Sequence, residues 1–150
     1  MRVVLQEVIK ASVTIDEKLF SSINKGYLLL VSFTHDDNEN IVSEMALKIS
    51  KLRIFMDKDG KTNLSLSDIG GEILSVSQFT LYADVKHGNR PSFTNCMEQK
   101  SANNLYKFFN SSLRNLGFNV STGIFGADMK VELINDGPFT LALDSNDLLK

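Results

Sequence analysis

Over its first third the chain alternates apolar and polar positions in the manner of extended strands. Val3, Leu5, Glu7 and Ile9 fall on one parity and Val4, Gln6, Val8 and Lys10 on the other, and the β-branched character continues through Ala11, Ser12, Val13, Thr14 and Ile15. Asp16-Glu17-Lys18 reads as a turn, Leu19 to Ile23 as a short returning strand and Asn24-Lys25-Gly26 as a second turn. Tyr27 to Phe33 is almost continuously apolar, the pattern of a strand covered on both faces. The period then lengthens: Ile41, Met45, Ile49 and Leu52 predict a core-facing helix ending near Lys51. Before it lies a polar, solvated loop with His35, Asp36 and Asp37, whose carboxylates favour a helix N-terminus. Arg53-Ile54-Phe55 predicts a short strand, Asp57-Lys58-Asp59-Gly60 a turn, and Glu72 to Leu81, after the Gly70-Gly71 break, another strand. Leu105, Phe108, Phe109, Leu113 and Leu116 form a second helical stripe, stopped by Gly117. Phe118 to Thr122 reads as a strand and Gly123 to Gly126 as a bend. Met129, Val131 and Leu133 alternate with Lys130 and Glu132, and Phe139 to Leu143 follows as their partner across an Asp136-Gly137 hairpin turn; Ser145 to Lys150 reads as a polar tail.

This order predicts one α/β domain over residues 1–150, with layered mixed or antiparallel sheets and two main helices packed on one side. A length of 150 residues is enough for a real core. The net charge of −2 excludes a protein that coats nucleic acid through a broad basic face, while leaving room for one that grips only an RNA end. A lone cysteine, Cys96, excludes a disulfide framework and a cysteine zinc cluster, and its polar surroundings mark it as a bystander thiol. No signal peptide is visible, and the longest apolar run, Tyr27 to Val31, is far too short to cross a bilayer, so a soluble cytoplasmic protein without a membrane partner is expected.

Two short stretches carry candidate chemistry. Ser77, Gln78 and Thr80 place polar side chains at a strand end, whereas Asn135-Asp136-Gly137-Pro138 puts a proline where a hairpin's second strand should begin pairing. A Gly-Pro pair at a tip suits either a plain turn or contact with a ligand through backbone atoms. Residues 83–100 form a long polar loop holding Lys86, His87, Arg90 and Lys100, the one local cationic cluster, suited either to solvent or to phosphate. As nucleophiles, Ser77 and Thr80 would need a base, and only His35 and His87 are available, both in polar loops. No phosphate loop, dinucleotide fingerprint or metal-ligand spacing occurs, so neither cofactor nor metal is expected.

Ser77-Gln78-Phe79-Thr80-Leu81 together with Asn135-Asp136-Gly137-Pro138-Phe139-Thr140 resembles the two signature motifs of bacterial D-aminoacyl-tRNA deacylases. Val3-Val4-Leu5-Gln6, Ala11-Ser12-Val13-Thr14, Leu52-Arg53-Ile54-Phe55, Asn89-Arg90-Pro91-Ser92-Phe93 and Phe125-Gly126-Ala127-Asp128-Met129 resemble family segments in the same order, so the likeness spans essentially the whole chain. The resemblance implies the family's fold and a homodimer with active sites at the interface. It further implies a cis Gly137-Pro138 bond on a loop that enters the partner's site, where the backbone holds the α-amino group of a D-aminoacyl moiety and collides with an L side chain. Glycyl-tRNA would be rejected poorly. By the same resemblance Ser77, Gln78 and Phe79 line the pocket with main-chain N–H groups near the ester carbonyl, Asn135 joins the tip in binding substrate, and Phe125 and Met129 enclose the terminal adenosine. Thr80 occupies a position once considered a nucleophile. The resemblance equally implies catalysis by backbone donors and the tRNA's own 2′-hydroxyl, and the absence of a base beside Ser77 or Thr80 fits that implication. One departure stands out, Glu7, where the family commonly has an arginine. The competing readings are a non-catalytic tRNA-end binding module of the same fold and a relative specialised for L-alanyl-tRNA, the latter disfavoured by Phe79.

Overall fold

The computed structural model describes residues 1–149, so the reading of Lys150 as tail lies outside the described residues. In chain order the elements are β1 (Arg2–Ile15), β2 (Lys18–Ile23), β3 (Gly26–Ser32), α1 (Glu39–Ser50), β4 (Arg53–Met56), β5 (Thr62–Ser65), β6 (Glu72–Ser77), a 3-10 turn (Phe79–Tyr82), α2 (Gln99–Asn115), β7 (Val120–Thr122), β8 (Lys130–Asp144) and α3 (Ser145–Leu148).

The long strand β1 organises the sheet. One edge pairs antiparallel with β8 along almost its whole length; the other pairs with β3 over residues 2–8 and with β2 over residues 11–15. Beyond β3 the sheet turns parallel, β3 to β6 and β6 to β7. The Ser21 hydroxyl of β2 donates to the Thr122 carbonyl of β7 at 2.8 Å, so the two ends of the sheet meet and it nearly closes. Asp16 and Glu17, both at positive φ, turn β1 into β2 as a mirror-image two-residue hairpin.

Strand alternation divides the apolar residues between two cores. Val3, Leu5, Leu29, Val31 and Ile73 face α1 and α2, which contribute Val42, Met45, Ile49, Tyr106, Phe109 and Leu113. Val8, Ala11, Val13, Ile23, Leu28, Leu74 and Val76 fill the inside of the curled sheet. The unbroken apolar run of β3 is therefore explained, because both its faces are covered. Both large helices pack on one side, as expected. They begin earlier than the apolar stripes indicate because their first turns are polar and capped by side chains, Asn38 for α1 and Glu98 for α2.

Four expectations are corrected. The chain does not fold back on itself at Asp136-Gly137: the two halves of β8 run in one direction and both pair with β1, so no hairpin exists there. The strand expected to run to Leu81 ends at Ser77, where Gln78 leaves the extended region and the backbone coils into the 3-10 turn. Asp37 is not a solvated loop residue. It accepts from the Met1 ammonium at 2.5 Å, both groups being buried, and the same ammonium donates to Ser145 Oγ at 2.7 Å. For the same reason the polar tail is instead the short helix α3, capped by Asp144 and locked to the first residue. The strand β5, paired with β4, is an addition.

Candidate active site

Ser77 ends a buried parallel strand. The Gln78 amide donates to the Val31 carbonyl of β3 at 2.8 Å, the last bond of that ladder, and the 3-10 turn begins at once. The turn is held from three directions. The Phe79 carbonyl accepts from Ser32 Oγ at 3.2 Å and from Cys96 Sγ at 3.3 Å. The Leu81 carbonyl accepts from Arg2 Nη1 at 2.9 Å, while the same guanidinium lies 4.4 Å over the Tyr82 ring and pairs with Asp144 at 2.8 Å. The Thr80 carbonyl accepts from the Ala83 amide at 3.0 Å. With the carbonyls occupied, the Phe79 and Thr80 N–H groups find no acceptor among the described residues. Both residues are exposed, Phe79 at 55%, and each leaves a backbone donor unspent.

The Thr80 hydroxyl contacts the Gln78 amide nitrogen at 2.6 Å. Neither end of an amide takes up a proton at neutral pH, so this contact cannot activate Thr80 as a nucleophile. His35 is engaged elsewhere, its Nε2 lying 2.7 Å from the Thr94 carbonyl, and His87 sits exposed on the 83–98 loop. A Ser-His or Thr-His pair is therefore not assembled.

That loop is ordered by the site it borders. Asp84 and Ser92 bridge its base with two backbone bonds, leaving Lys86, His87 and Arg90 exposed between them. Its second half is fastened to the end of β3 by Thr34 Oγ1 to the Asn95 carbonyl at 2.7 Å and by the Met97 amide to the Phe33 carbonyl at 3.0 Å. Phe93 meets Phe79 edge to face with centroids 5.0 Å apart. Phe125 packs on Tyr106, whose hydroxyl donates to the Ser75 carbonyl at 2.6 Å, and Met129 lies against Gly123, whose amide reaches the same carbonyl. Both thus reach the neighbourhood of Ser75, two positions before Ser77.

The Gly-Pro tip is elsewhere. The Gly137-Pro138 bond is cis, Gly137 has φ 121°, and both residues are exposed. The tip is a bulge in β8: Thr140 pairs with Gln6 and Asn135 with Val8, so residues 136–139 stand opposite Glu7 alone. Val8 also pairs with Gly26, which pairs with Glu72, at the start of β6, whereas Ser77 is at its end. Glu7, which the tip faces, pairs with Tyr27 and Tyr27 with Ile73, so four residues of strand separate the tip from the Ser77 level, about 13 Å at roughly 3.3 Å per residue. Lys25, beside Gly26, approaches Asp136 at 3.9 Å, consistent with that register. Within one chain the structure therefore places Ser77, Gln78, Phe79 and Thr80 at one end of β6 and Asn135, Gly137 and Pro138 toward the level of the other, with Phe125 and Met129 linked to the Ser75 carbonyl between them. At the root of the tip, burial and the neighbouring Asp136 push the Glu7 carboxyl above its ordinary range, with Lys25 opposing.

Ser32 and Arg2 escaped the sequence reading, and Cys96, read there as a bystander thiol, instead reaches the Phe79 carbonyl. Ser32, Cys96 and Arg2 lie 47, 17 and 79 positions from the residues they hold, and no local pattern marks such pairs. Among the described residues no group of three His, Cys, Asp or Glu side chains could hold a metal ion, and no helix is long and apolar enough to cross a membrane.

Comparison with known proteins places the chain in a family. The family model described as D-Tyr-tRNA(Tyr) deacylase matches residues 4–144. A D-aminoacyl-tRNA deacylase of Lactobacillus acidophilus is 56% identical over 144 residues, which cover 96% of this chain and 99% of the relative. Another, of Listeria innocua, is 51% identical over 150 residues, the full length of both. Among solved structures, a c-Myc DNA Unwinding Element Binding Protein superposes with a TM-score of 0.90 at 38% identity, covering 96% of this chain and 98% of its own. A probable eukaryotic D-amino acid tRNA deacylase superposes at 0.82 over 95% and 97% of the two chains, with 19% identity, a likeness of fold alone. Signature motifs, fold and relatives converge, and the chain belongs to the D-Tyr-tRNA(Tyr) deacylase family, hydrolases of the aminoacyl-tRNA ester bond.

Proposed function

We propose that the chain removes D-amino acids, and glycine, from tRNA in the cytoplasm, at sites each built by two copies of it. The observation that carries this reading is the separation of about 13 Å between the Ser77 level and the exposed Gly137-Pro138 tip, inferred from strand register. A tip that cannot reach its own pocket is free to enter that of a second copy. There the Gly137 and Pro138 carbonyls accept from the substrate's α-ammonium, and a side chain of L configuration runs into the same backbone. Glycine, with no side chain, passes the gate. Asn135 supports the tip, and Phe125 and Met129 border the terminal adenosine.

At the pocket, water adds to the ester carbonyl carbon. The N–H groups of Phe79 and Thr80 receive the oxyanion that develops. The bond to the ribose 3′-oxygen then breaks, giving the free amino acid and a 3′-hydroxyl, with the adjacent 2′-hydroxyl of the tRNA relaying the proton. Ser77 and Gln78 shape the wall, and Lys86, His87 and Arg90 face the phosphates of the acceptor end.

Mixing two damaged proteins tests the shared site. One carries Gly137→Val and the other carries a bulky substitution in the pocket, Ser77→Phe. In a mixed dimer one site inherits both intact halves, so hydrolysis of D-tyrosyl-tRNA returns on mixing, with L-tyrosyl-tRNA left untouched. Failure to recover activity in a dimer shown by sedimentation to have exchanged subunits would falsify the shared site. Equal rates on both esters would reject the chirality gate, and binding of tRNA without hydrolysis would leave the non-catalytic module.

A further inference from the structure

The 3-10 turn is short, exposed and followed by a long loop, yet its first peptide is held on one edge by two side chains that come from different parts of the chain. Ser32 is the last residue of β3 and is buried, at 2% exposure, and its hydroxyl donates to the Phe79 carbonyl at 3.2 Å. Cys96 reaches the same oxygen at 3.3 Å from the far end of the 83–98 loop. The clamp of Thr34 and Phe33 on Asn95 and Met97 brackets Cys96 on either side, so the thiol is delivered to that oxygen rather than left to wander. Burial also pushes the Cys96 thiol up, which keeps its proton in place as a donor.

The peptide joining Phe79 to Thr80 is trans, the single cis bond among the described residues being Gly137-Pro138. In a trans peptide the carbonyl and the N–H point in opposite directions. A carbonyl turned inward toward Ser32 and Cys96 necessarily turns the Thr80 N–H outward, to the side on which that group has no acceptor. We propose that Ser32 and Cys96 are positioning residues that set the orientation of the Phe79–Thr80 peptide, and through it the aim of the Thr80 N–H at the substrate ester. This rests on the reading that backbone donors of this turn stabilise the oxyanion. Such donors are effective only when they are already pointed at the charge before it forms, so a loosened peptide loses turnover while substrate binding, made elsewhere, is spared.

The test compares kcat and KM on D-tyrosyl-tRNA, with melting temperature, for the intact chain, Ser32→Ala, Cys96→Ala, Cys96→Ser and the double variant Ser32→Ala/Cys96→Ala. A hydroxyl donor counts for more than a thiol, so kcat should fall about fivefold for Ser32→Ala, about twofold for Cys96→Ala and about tenfold or more for the double variant. KM should stay within about twofold, and Cys96→Ser, which keeps a donor, should recover the turnover lost in Cys96→Ala. Cys96 is on the surface side, so its variants remain informative if Ser32→Ala folds poorly. Unchanged kcat in the double variant overturns the positioning role while D-over-L selectivity in the intact chain leaves the deacylase reading standing. A loss that tracks melting temperature and is not recovered by Cys96→Ser also overturns it, as a structural effect. An intact chain that hydrolyses neither ester removes the reading and this inference together.

Discussion

The Phe79–Tyr82 turn that follows Ser77 and the Asn135–Pro138 tip both offer main-chain polar groups, but they are held in opposite ways. The turn is tied inward: Ser32 and Cys96 hold one of its carbonyls, Arg2 another, and the β3–β6 ladder runs to its doorstep. The tip is tied at its root, where Asn135 and Thr140 pair with β1, Asp136 approaches Lys25 and Phe139 packs on the core, while Gly137 and Pro138 between them stand in solvent. One is an anchored surface and the other a protruding piece. The difference teaches where rigidity has to come from. The turn is preorganised by its own chain, whereas the tip has few contacts of its own and gains its surroundings from whatever it enters, a partner's pocket in the proposed reading.

The largest break in this comparison should come at the tip. Gly137 has φ 121°, and an added Cβ would meet the Phe139 amide nitrogen at 3.1 Å, so Gly137→Ala must shift the backbone. A displacement of even about 1 Å in a positioning element can cost on the order of a hundredfold in rate, and that is the loss expected on D-tyrosyl-tRNA. Because the tip is exposed, the melting temperature should fall by about 4 °C or less. Rates that survive this substitution would make the tip an ordinary loop.

A smaller effect is expected at the anchor. Arg2→Ala releases the Leu81 carbonyl, uncovers Tyr82 and removes the ion pair with Asp144, three contacts near the surface, and should cost about 1 kcal/mol of stability by denaturant titration together with a several-fold drop in kcat. Stability lost with kcat intact would show that the turn does not depend on this tether. Smaller again is Thr80→Ala, which removes a hydroxyl but leaves the backbone N–H, and should change kcat by less than about threefold if the net loss is a single hydrogen bond's worth or less. A collapse like that of a deleted nucleophile would shift the chemistry from backbone to side chain.

The subtlest probe lies beneath the tip. Glu7 is nearly buried, and its carboxyl is pushed above the ordinary value of 4.5 by burial first and then by Asp136. A raised carboxyl means that ionisation costs the folded state, so this site is most favourable at low pH and loses stability as pH rises through the raised value. Glu7→Gln removes that cost. The variant should melt higher than the parent at neutral pH, and the gap should close below about pH 4.5, where the glutamic acid is neutral in both folded and unfolded chains. A gap that ignores pH would mean that Glu7 is held by contacts rather than penalised for charge.

Much of this was legible in the chain because it rests on local periodicity. Tyr27 to Phe33 announces a strand buried on both faces, and α1 and α2 declare their apolar stripes, although Asn38 and Glu98 start the helices earlier than the stripes show. Asp136-Gly137 misled because a turn signal says that the chain bends, not what its flanks pair with. Here both flanks found β1, and a bulge took the place of a hairpin. Asp37 misled because nothing local reveals that an ammonium 36 positions away will bury against it.

By itself, then, the sequence determined the alternation that makes the sheet, the stripes that cover it and the two motifs by which the family is recognised. Those depend on side chains a few residues apart. The tertiary structure alone decided that the two motifs lie at different levels along β6, several strand residues apart within one chain, and that Ser32, Cys96 and Arg2 hold the turn beside Thr80. The reason is physical: strand register and side-chain hydrogen bonds between distant segments are settled by how the two cores close, and no window of neighbouring residues contains that information.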